Sequence, residues 1–188
     1  MTKYFLLFIF IGTFSSLQAY QSMYEKTPVG EIQIIELPAR IALEASTNGS
    51  YFQANNGLFR KLFRYISSND VSMTTPVEAD INPGKMRFFV GGEDKQKKLQ
   101  SNESVNVVKI PSVTVISIGI RGSYSEEKFS ENKAKLFTWL QKNKKFESIG
   151  EPYGVYWNGP FVPGIFKRSE IHIPIKRKDK SKQKNLTN

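Results

Sequence analysis

The same apolar pentad occurs twice in this chain, and this duplication constrains the fold more than any other feature. LFRYI occupies residues 62–66 and LFTWL occupies residues 136–140. The tripeptide GSY precedes both pentads, at 49–51 and 122–124, and a proline follows each of them. Three features in one order indicate two copies of one structural unit.

Each pentad falls within a predicted amphipathic helix. Apolar residues recur at three- and four-residue steps over residues 54–67 and again over residues 123–144. The second segment offers Ser123 or Ser125 as N-cap, acids in the first turn and lysines in the last, as the helix dipole favours. We therefore predict one helix in each half of the chain.

Strand-like runs flank both helices. Alternating or β-rich segments lie at 31–47, 71–81, 84–92, 104–122, 153–157 and 170–175, with Pro38 and Pro111 interrupting the first and fourth of them. Each half is thus β–β–helix–β–β, and its sheet needs one helix to cover one face. We predict an α+β fold, in which a pseudo-twofold repeat of two ββαββ-like halves forms a distorted antiparallel β-barrel flanked by two α-helices.

The N-terminus has the layout of a secretory signal peptide. Lys3 precedes an apolar run at 4–14, which is too short to span a bilayer, and residues 15–19 end on a small side chain. We predict cleavage after Ala19 and export to the periplasm or the medium. The expected organisation is a signal peptide (1–19), one domain (20–176) and a basic disordered tail (177–188).

Composition narrows the function classes. The chain has no cysteine, which excludes disulfides, thiolate metal sites and cysteine nucleophiles. Much of the net charge of +10 lies in residues 176–188, which hold six basic residues and one acid. A lysine-rich run without apolar residues is typical of a solvated tail. We expect a monomer with no specific nucleic-acid binding and at most weak contact of the tail with anionic membrane.

The segment WNGPFVPGIFKRSE (157–170) is not explained by these elements. Two prolines and two glycines predict an ordered but irregular loop, and its large apolar residues are followed at once by Lys167 and Arg168. Two interpretations remain open. The loop either folds back over an edge of the core or forms one wall of an apolar ligand groove, with the cations beside it for carboxylates.

Two motifs resemble those of the SOUL/haem-binding-protein family. VSMTTPVEA (71–79) is similar to the family's IAMTAPV, and WNGPFVPGIFKRSE is similar to its Y-N/D-P-P-F/W-T-P-x-x-x-R-R-N-E motif. Trp157, Gly159, Lys167 and Ser169 depart from the second motif. The resemblance covers roughly residues 24–176 and implies the fold predicted above together with tetrapyrrole binding.

The resemblance also implies where a haem would lie, namely in an apolar groove between the first helix and the late loop, without strong axial ligation. Its walls would be formed by Phe59, Leu62 and Phe63 on the helix and by Phe161 and Val162 on the loop. The residues expected near the propionates are Lys61, Arg64, Lys167 and Arg168. Arginine can pair with a carboxylate through two hydrogen bonds, whereas lysine acts as a point charge.

His172 is the only histidine and thus the candidate iron ligand. Strand alternation in EIHIPI places it on the face opposite Ile171 and Ile173. The alternative function is a small-molecule hydrolase or effector-binding domain of the wider gyrase-inhibitor-like superfamily. There Glu170, with Glu78 near the other motif, would be a general base with a raised pKa, unless it pairs structurally with Arg168.

Overall fold

The computed structural model describes residues 21–159 and 161–178. The predicted signal peptide (1–19) and residues 179–188 of the predicted tail lie outside the described residues. The folded domain extends through Lys178, whose backbone N–H donates to the Lys145 carbonyl at 2.9 Å. The last strand therefore continues past the predicted boundary at 176.

The described residues form two long helices and eleven strands. The helices are α1 (Tyr51–Ser68) and α2 (Glu126–Lys142), and the strands are β1 (Gln21–Ser22), β2 (Ile32–Leu37), β3 (Arg40–Ser46), β4 (Thr74–Thr75), β5 (Val77–Asp80), β6 (Lys85–Val90), β7 (Asn106–Ile110), β8 (Val113–Arg121), β9 (Phe146–Ser148), β10 (Tyr153–Tyr156) and β11 (Arg168–Arg177). Short 3₁₀ helices cover Gly92–Gln96 and Gly164–Phe166. Within the described ranges, neither long helix is apolar enough to cross a membrane.

The main sheet is antiparallel and symmetric in its strand order. The order is β2-β8-β11-β10-β5-β6-β3-β7, with β9 added at the end of β11. The two halves meet where β10 pairs with β5. Among the described residues β2 and β7 do not pair with each other, so the sheet is a curled, partly closed barrel. The predicted fold class is confirmed.

The two halves exchange their first strands, which the sequence did not predict. β2 precedes β3 in the chain but pairs with β8, and β7 precedes β8 but pairs with β3. Pro38 and Pro111 lie at the two crossings, between these strands. Proline cannot donate to a strand ladder, so each crossing ends one pairing before the next begins.

Both helices cover the same face of the sheet, and the first two positions of the two pentads have matching burial. Leu62 and Leu136, which open the pentads, are both fully buried. The phenylalanines that follow them are partly exposed, Phe63 at 50% and Phe137 at 40%. The N-cap of α2 is Ser125, whose hydroxyl accepts from the Lys128 N–H at 3.2 Å. The two predicted helices are thus confirmed, whereas Phe63 and Phe137, predicted to lie in the apolar stripes, are exposed.

The other face of the sheet is concave and is partly covered by the N-terminal segment (23–30). The Tyr24 ring packs edge-on against Trp157, with centroids 5.3 Å apart. Gly119 permits this close approach, because a Cβ there would overlap the backbone of Thr27 and Pro28. The concave face carries most of the buried polar side chains described below.

We predict that the two pentad positions differ sharply in their contribution to stability. Leu62→Ala removes a fully buried side chain and should lower the free energy of unfolding by about 2–5 kcal/mol. Phe63→Ala removes a half-exposed ring and should change it by about 0.5 kcal/mol. Urea unfolding followed by circular dichroism checks both variants. Equal losses would contradict this assignment of the helix faces, and Leu136→Ala with Phe137→Ala repeats the test in the second half.

Candidate functional site

A buried carboxylate lies at the centre of the concave face. Glu170 follows the start of β11, and alternation along this strand directs Glu170 and His172 away from the helices. Both side chains are buried, at 1% and 0% exposure. A buried charge needs hydrogen-bond donors to offset its loss of hydration.

Five hydrogen bonds supply Glu170 with partners from four segments. Oε1 accepts from the Thr27 backbone N–H at 2.9 Å and from the Trp157 indole N–H at 2.7 Å. Oε2 lies 3.0 Å from the Ser117 hydroxyl, 3.2 Å from the Thr27 hydroxyl and 2.8 Å from His172 Nε2. The carboxylate thus joins the N-terminal segment, β8, the end of β10 and β11.

These contacts determine the ionisation of the site. Burial alone would raise the pKa of Glu170, but the hydrogen bonds from His172, Ser117 and Thr27 outweigh it and lower the pKa below its ordinary value. An ionised carboxylate only accepts hydrogen bonds, so His172 Nε2 must carry a proton. Burial raises the pKa of Tyr153 well above its ordinary value, and its neutral hydroxyl lies 3.3 Å from His172 Nδ1. The predicted raised pKa of Glu170 is therefore wrong. Its predicted pairing with Arg168 is also wrong, because the partners of the carboxylate are Thr27, Trp157, Ser117 and His172.

A cavity of about 350 Å³ opens on the same face, between the two halves of the sheet. Arg40 and Glu78, both buried, form an ion pair of 2.8 Å in its wall. Arg87, in the same wall, donates to Glu44 at 2.7 Å and to both carboxylate oxygens of Asp80 at 2.8 and 2.6 Å. The apolar part of the lining consists of Val108, Ile110, Pro111, Val113 and Pro174.

The late loop is held firmly at both ends. The Tyr124 hydroxyl donates to the Arg168 carbonyl at 2.9 Å and accepts from the Asn158 N–H at 3.0 Å. The Asn158 side-chain oxygen accepts from the Arg168 N–H at 2.7 Å, and the Gly122 N–H donates to the Lys167 carbonyl at 2.9 Å. These bonds cross-link the base of the loop to the start of α2.

The middle of the loop nevertheless presents apolar side chains to solvent. Phe161, Ile165 and Phe166 are 98%, 70% and 59% exposed. We call these three residues the loop platform. The middle of the loop therefore does not fold back over an edge of the core, and the interpretation of this segment as one wall of an apolar ligand groove stays a prediction.

The loop cations and Val162 have defined surroundings. Val162 is half-buried. Lys167 Nζ lies over the Tyr124 ring, 5.0 Å from its centroid, and Arg168 donates to the Thr27 carbonyl at 2.9 Å. Beneath the loop, the cavity beside α2 holds about 10 Å³, room for about one water molecule. That cavity is too small to hold a macrocycle.

The helix residues predicted for the groove do not act together. Leu62 is fully buried in the core and is unavailable to a surface ligand. Phe59 is half-buried, packs edge-on against Phe88 and stacks on the exposed Phe63. Lys61 and Arg64 are exposed. In the described part of the chain, no hydrogen bond or ring–ring contact joins α1 to the late loop.

His172 is not exposed, as an accessible iron ligand would have to be. It is fully buried, and both ring nitrogens are engaged, with Glu170 and Tyr153. Within residues 21–159 and 161–178, no group of three histidine, aspartate or glutamate side chains could hold a metal ion. Its position on the face opposite Ile171 and Ile173 agrees with the predicted alternation.

Several site residues carried no obvious sequence signal. Thr27, Arg40, Ser117 and Tyr153 are distant in sequence: Thr27 and Ser117 meet at Glu170, whereas Arg40 and Tyr153 line the cavity. A signal did exist for the centre of the network, because Glu170 and His172 are polar residues at alternating positions in an otherwise apolar strand.

We predict that Glu170 makes stability depend on acid pH. Its pKa is lowered by folding, so its stabilising contribution is present above the ordinary carboxyl pKa and is lost as pH falls through the folded value. Glu170→Gln can keep the bonds to Thr27 and Trp157 while donating to the hydroxyls, because these also accept. The variant should remain folded at pH 7 and lose less stability than wild type on going to pH 3.

Urea midpoints measured across this pH range check the prediction. Glu151→Gln, which changes an exposed carboxylate, should keep the wild-type slope. A wild-type slope in Glu170→Gln would contradict the role given to the buried carboxylate.

Comparison with known proteins identifies the fold among solved structures. EcmrR in its complex with DNA superposes with a TM-score of 0.64 at 14% identity, covering 79% of this chain and 58% of that chain. The isolated EcmrR C-terminal domain gives 0.61 at 14% identity, covering 79% and 98%. A hydrolase from Listeria innocua gives 0.53 at 12% identity, covering 80% and 94%. At these identities the likeness shows a shared fold, and the chain spans little more than half of the EcmrR chain in the DNA complex.

No curated protein sequence matches the chain. The family profile described as SOUL heme-binding protein matches residues 18–174 and so covers both motifs, both helices and nearly all of the sheet. The chain belongs to the SOUL heme-binding protein family.

Proposed function

We propose that the protein binds haem or a related planar tetrapyrrole on the loop platform and does not catalyse a reaction on it. The observation that carries the proposal is the exposure of Phe161, Ile165 and Phe166 on a loop that is fixed at both ends. Exposed apolar side chains clustered on one ordered segment are typical of a ligand or partner surface. Family membership selects a tetrapyrrole as the ligand class.

The anchoring of the loop favours ligand binding over random exposure. Tyr124, Asn158 and Gly122 hold the base of the loop through backbone and side-chain hydrogen bonds. A surface already held in its binding conformation loses less conformational entropy when a ligand arrives. The platform is thus suited to a flat apolar face.

Cations beside the platform would accept the carboxylates of such a ligand. Lys167 lies at the end of the loop. Arg121, which is exposed, lies at the neighbouring end of β8, and Lys128 lies in the first turn of α2. Arg168 is already engaged with the Thr27 carbonyl. We therefore propose Lys167 and Arg121 as the main propionate contacts, with Arg168 holding the loop base.

Iron would be held without an axial bond from His172, because both of its ring nitrogens have partners in a fully buried site. This arrangement fits weak, exchangeable binding, as the ligand rests on an open surface.

A second exposed surface on α1 is the alternative location within the same function. The stacked rings of Phe59 and Phe63 lie among Lys61 and Arg64, which are exposed. The loop platform is favoured because its three apolar residues are exposed together, whereas Phe59 is partly committed to the core. Phe63→Ala distinguishes the two surfaces.

The hydrolase alternative has one observation in its favour, the line of hydrogen bonds from Tyr153 through His172 to Glu170. Tyr153 lines the cavity, so this line reaches a space that could hold a substrate. Glu170 itself is buried and its pKa is lowered, which suits an orienting group better than a general base. Binding is therefore the better-supported function.

The proposal includes export, because residues 1–19 have the layout of a signal peptide, and the mature chain would begin at Tyr20. We expect the exported protein to be a monomer. N-terminal sequencing of the secreted or periplasmic protein tests the cleavage position.

We predict that the double variant Phe161→Ala/Phe166→Ala weakens hemin binding at least tenfold. Each ring buried against a macrocycle contributes about 1.5–3 kcal/mol, and about 1.4 kcal/mol is a factor of ten in Kd. The measurement is a hemin titration of the purified mature protein followed at the Soret band.

The controls are single phenylalanine variants on the two helices. Phe137→Ala removes a ring that is 40% exposed on α2, roughly 16 Å along the helix from its first turn, and should leave the titration unchanged. A loss confined to Phe63→Ala would move the site to α1 and contradict the loop platform. No saturable Soret change with wild type would overturn tetrapyrrole binding itself.

A further inference from the structure

Cations from three segments lie together at the end of the domain where α2 and β11 finish. They come from the last turn of α2, the turn that leads into β9 and the end of β11, and all of them are exposed. We call this group the basic end, and its members are Lys142, Lys144, Lys145, Lys176, Arg177 and Lys178.

Specific contacts hold these segments side by side. β9 pairs with β11, so that Phe146 lies opposite Arg177. The Lys178 backbone N–H donates to the Lys145 carbonyl at 2.9 Å. Lys145 Nζ and the Arg177 guanidinium lie 5.3 and 5.9 Å from the centroid of the same buried Phe146 ring. These cations are therefore positioned by the fold, whereas the sequence predicts only a solvated tail in this part of the chain.

The charge of the basic end is largely unbalanced. Lys176 pairs with Glu147 at 3.2 Å, and among the described residues none of the other members takes part in a salt bridge. The dipole of α2 favours a cation in its last turn and so accounts for Lys142. It does not account for the cations on β11, whose mutual repulsion opposes folding. Like charges that the fold holds together at a cost in stability indicate an anionic partner.

An exposed apolar side chain beside these cations favours a lipid bilayer as that partner. Ile149 is 52% exposed and extends the β9 ladder, because its backbone N–H donates to the Pro174 carbonyl at 2.9 Å. Strand alternation places it on the same face as Glu147 and the paired Lys176, about 7 Å along the strand. Phe146, the ring among these residues, is buried and offers no open face for stacking a nucleic-acid base. Cations around an exposed apolar residue are typical of a surface that rests on an anionic membrane.

We propose that the basic end docks on a bilayer that contains anionic phospholipids, with Ile149 entering the headgroup region. The ten residues of β11 run from the base of the late loop to the basic end, so the loop platform lies roughly 30 Å away. The two surfaces are therefore separate, and the docking does not rest on tetrapyrrole binding.

Vesicle flotation of the full mature protein tests the docking. The probes are vesicles of phosphatidylcholine alone and vesicles of one part phosphatidylglycerol to two parts phosphatidylcholine. The protein should bind the neutral vesicles at least about tenfold more weakly than the anionic ones, and added salt should release it, because salt screens surface charge. Equal binding to both kinds of vesicle, or no binding to the anionic ones, would overturn the proposal.

Matched double variants locate the contact. Lys145→Gln/Arg177→Gln should weaken binding to anionic vesicles at least tenfold, since each cation near such a surface contributes about fivefold. Lys95→Gln/Lys98→Gln removes the same charge from two exposed lysines outside the basic end and should bind like wild type. Circular dichroism checks that both variants are folded. Equal losses in the two variants would make net charge alone the cause and contradict the docking surface.

A third double variant separates the folded surface from the residues that follow it. The sequence continues from Lys178 with lysines at 180, 182 and 184. Lys182→Gln/Lys184→Gln should lose no more affinity for anionic vesicles than Lys145→Gln/Arg177→Gln does. A larger loss would assign the contact to the tail and overturn the basic end as the docking surface.

Ile149→Ser distinguishes a bilayer from a soluble polyanion. It should weaken vesicle binding about threefold or more and leave heparin binding unchanged, because only a bilayer has an apolar region that can take this side chain. Vesicle binding equal to that of wild type would assign the basic end to a soluble polyanion and overturn the lipid proposal.

Hemin titration separates this inference from the proposed function. Lys145→Gln/Arg177→Gln should bind hemin like wild type, because these side chains are remote from the loop platform. Vesicle binding by a protein that does not bind hemin would support the docking and contradict only the proposed function.

Discussion

The buried carboxylate of Glu170 is the interaction on which the concave half of the molecule depends. An ionised group at 1% exposure is stable only because five hydrogen bonds surround it. Those bonds draw Thr27, Ser117, Trp157 and His172 from four separate segments to one point. The carboxylate therefore determines where the N-terminal segment returns to the sheet and where β10 ends.

That arrangement also sets the geometry of the late loop. Trp157 bonds to Glu170 through its indole and to the Arg168 carbonyl through its backbone N–H, so both ends of the loop start from a fixed base. Tyr124 ties the same base to the start of α2. A fixed base with an exposed apolar centre is the combination that favours a ligand surface over a flexible loop.

The fold separates two kinds of chemistry on the two sides of one sheet. The face under α1 and α2 is almost entirely apolar and provides the two larger core clusters. The concave face carries the buried Glu170 network, the Arg40–Glu78 pair and the cavity. Alternation along each strand thus directs apolar side chains to the helix-covered face and the buried polar network to the opposite face.

Much of the architecture could be predicted, because the signals behind it are local. Helical periodicity located α1 and α2, and strand alternation placed His172 opposite the isoleucines of β11. The exchange of β2 and β7 between the halves could not be predicted, because periodicity reports which face a strand buries and not which strand it pairs with. For the same reason Arg40 and Tyr153 were missed as cavity residues.

The predicted haem groove shows the same limit of prediction from sequence periodicity. The apolar spacing of α1 correctly predicted a buried face, but spacing alone could not decide whether Leu62 belongs to the core or to the ligand wall that the resemblance implies, and its full burial assigns it to the core. The loop was easier to interpret, since its prolines and glycines exclude regular structure while its apolar residues must lie somewhere. The exposure of the loop side chains distinguishes the two interpretations of the loop, and this exposure is known only from the three-dimensional structure.

The most direct test of the account is paramagnetic NMR of the hemin complex. Ferric hemin broadens amide signals near the iron, and zinc protoporphyrin serves as the diamagnetic control of the same shape. The account predicts broadening centred on residues 161–167 and the start of α2, with the signals around Phe63 and around the concave cavity unaffected. Broadening centred on α1 or on the cavity would contradict it.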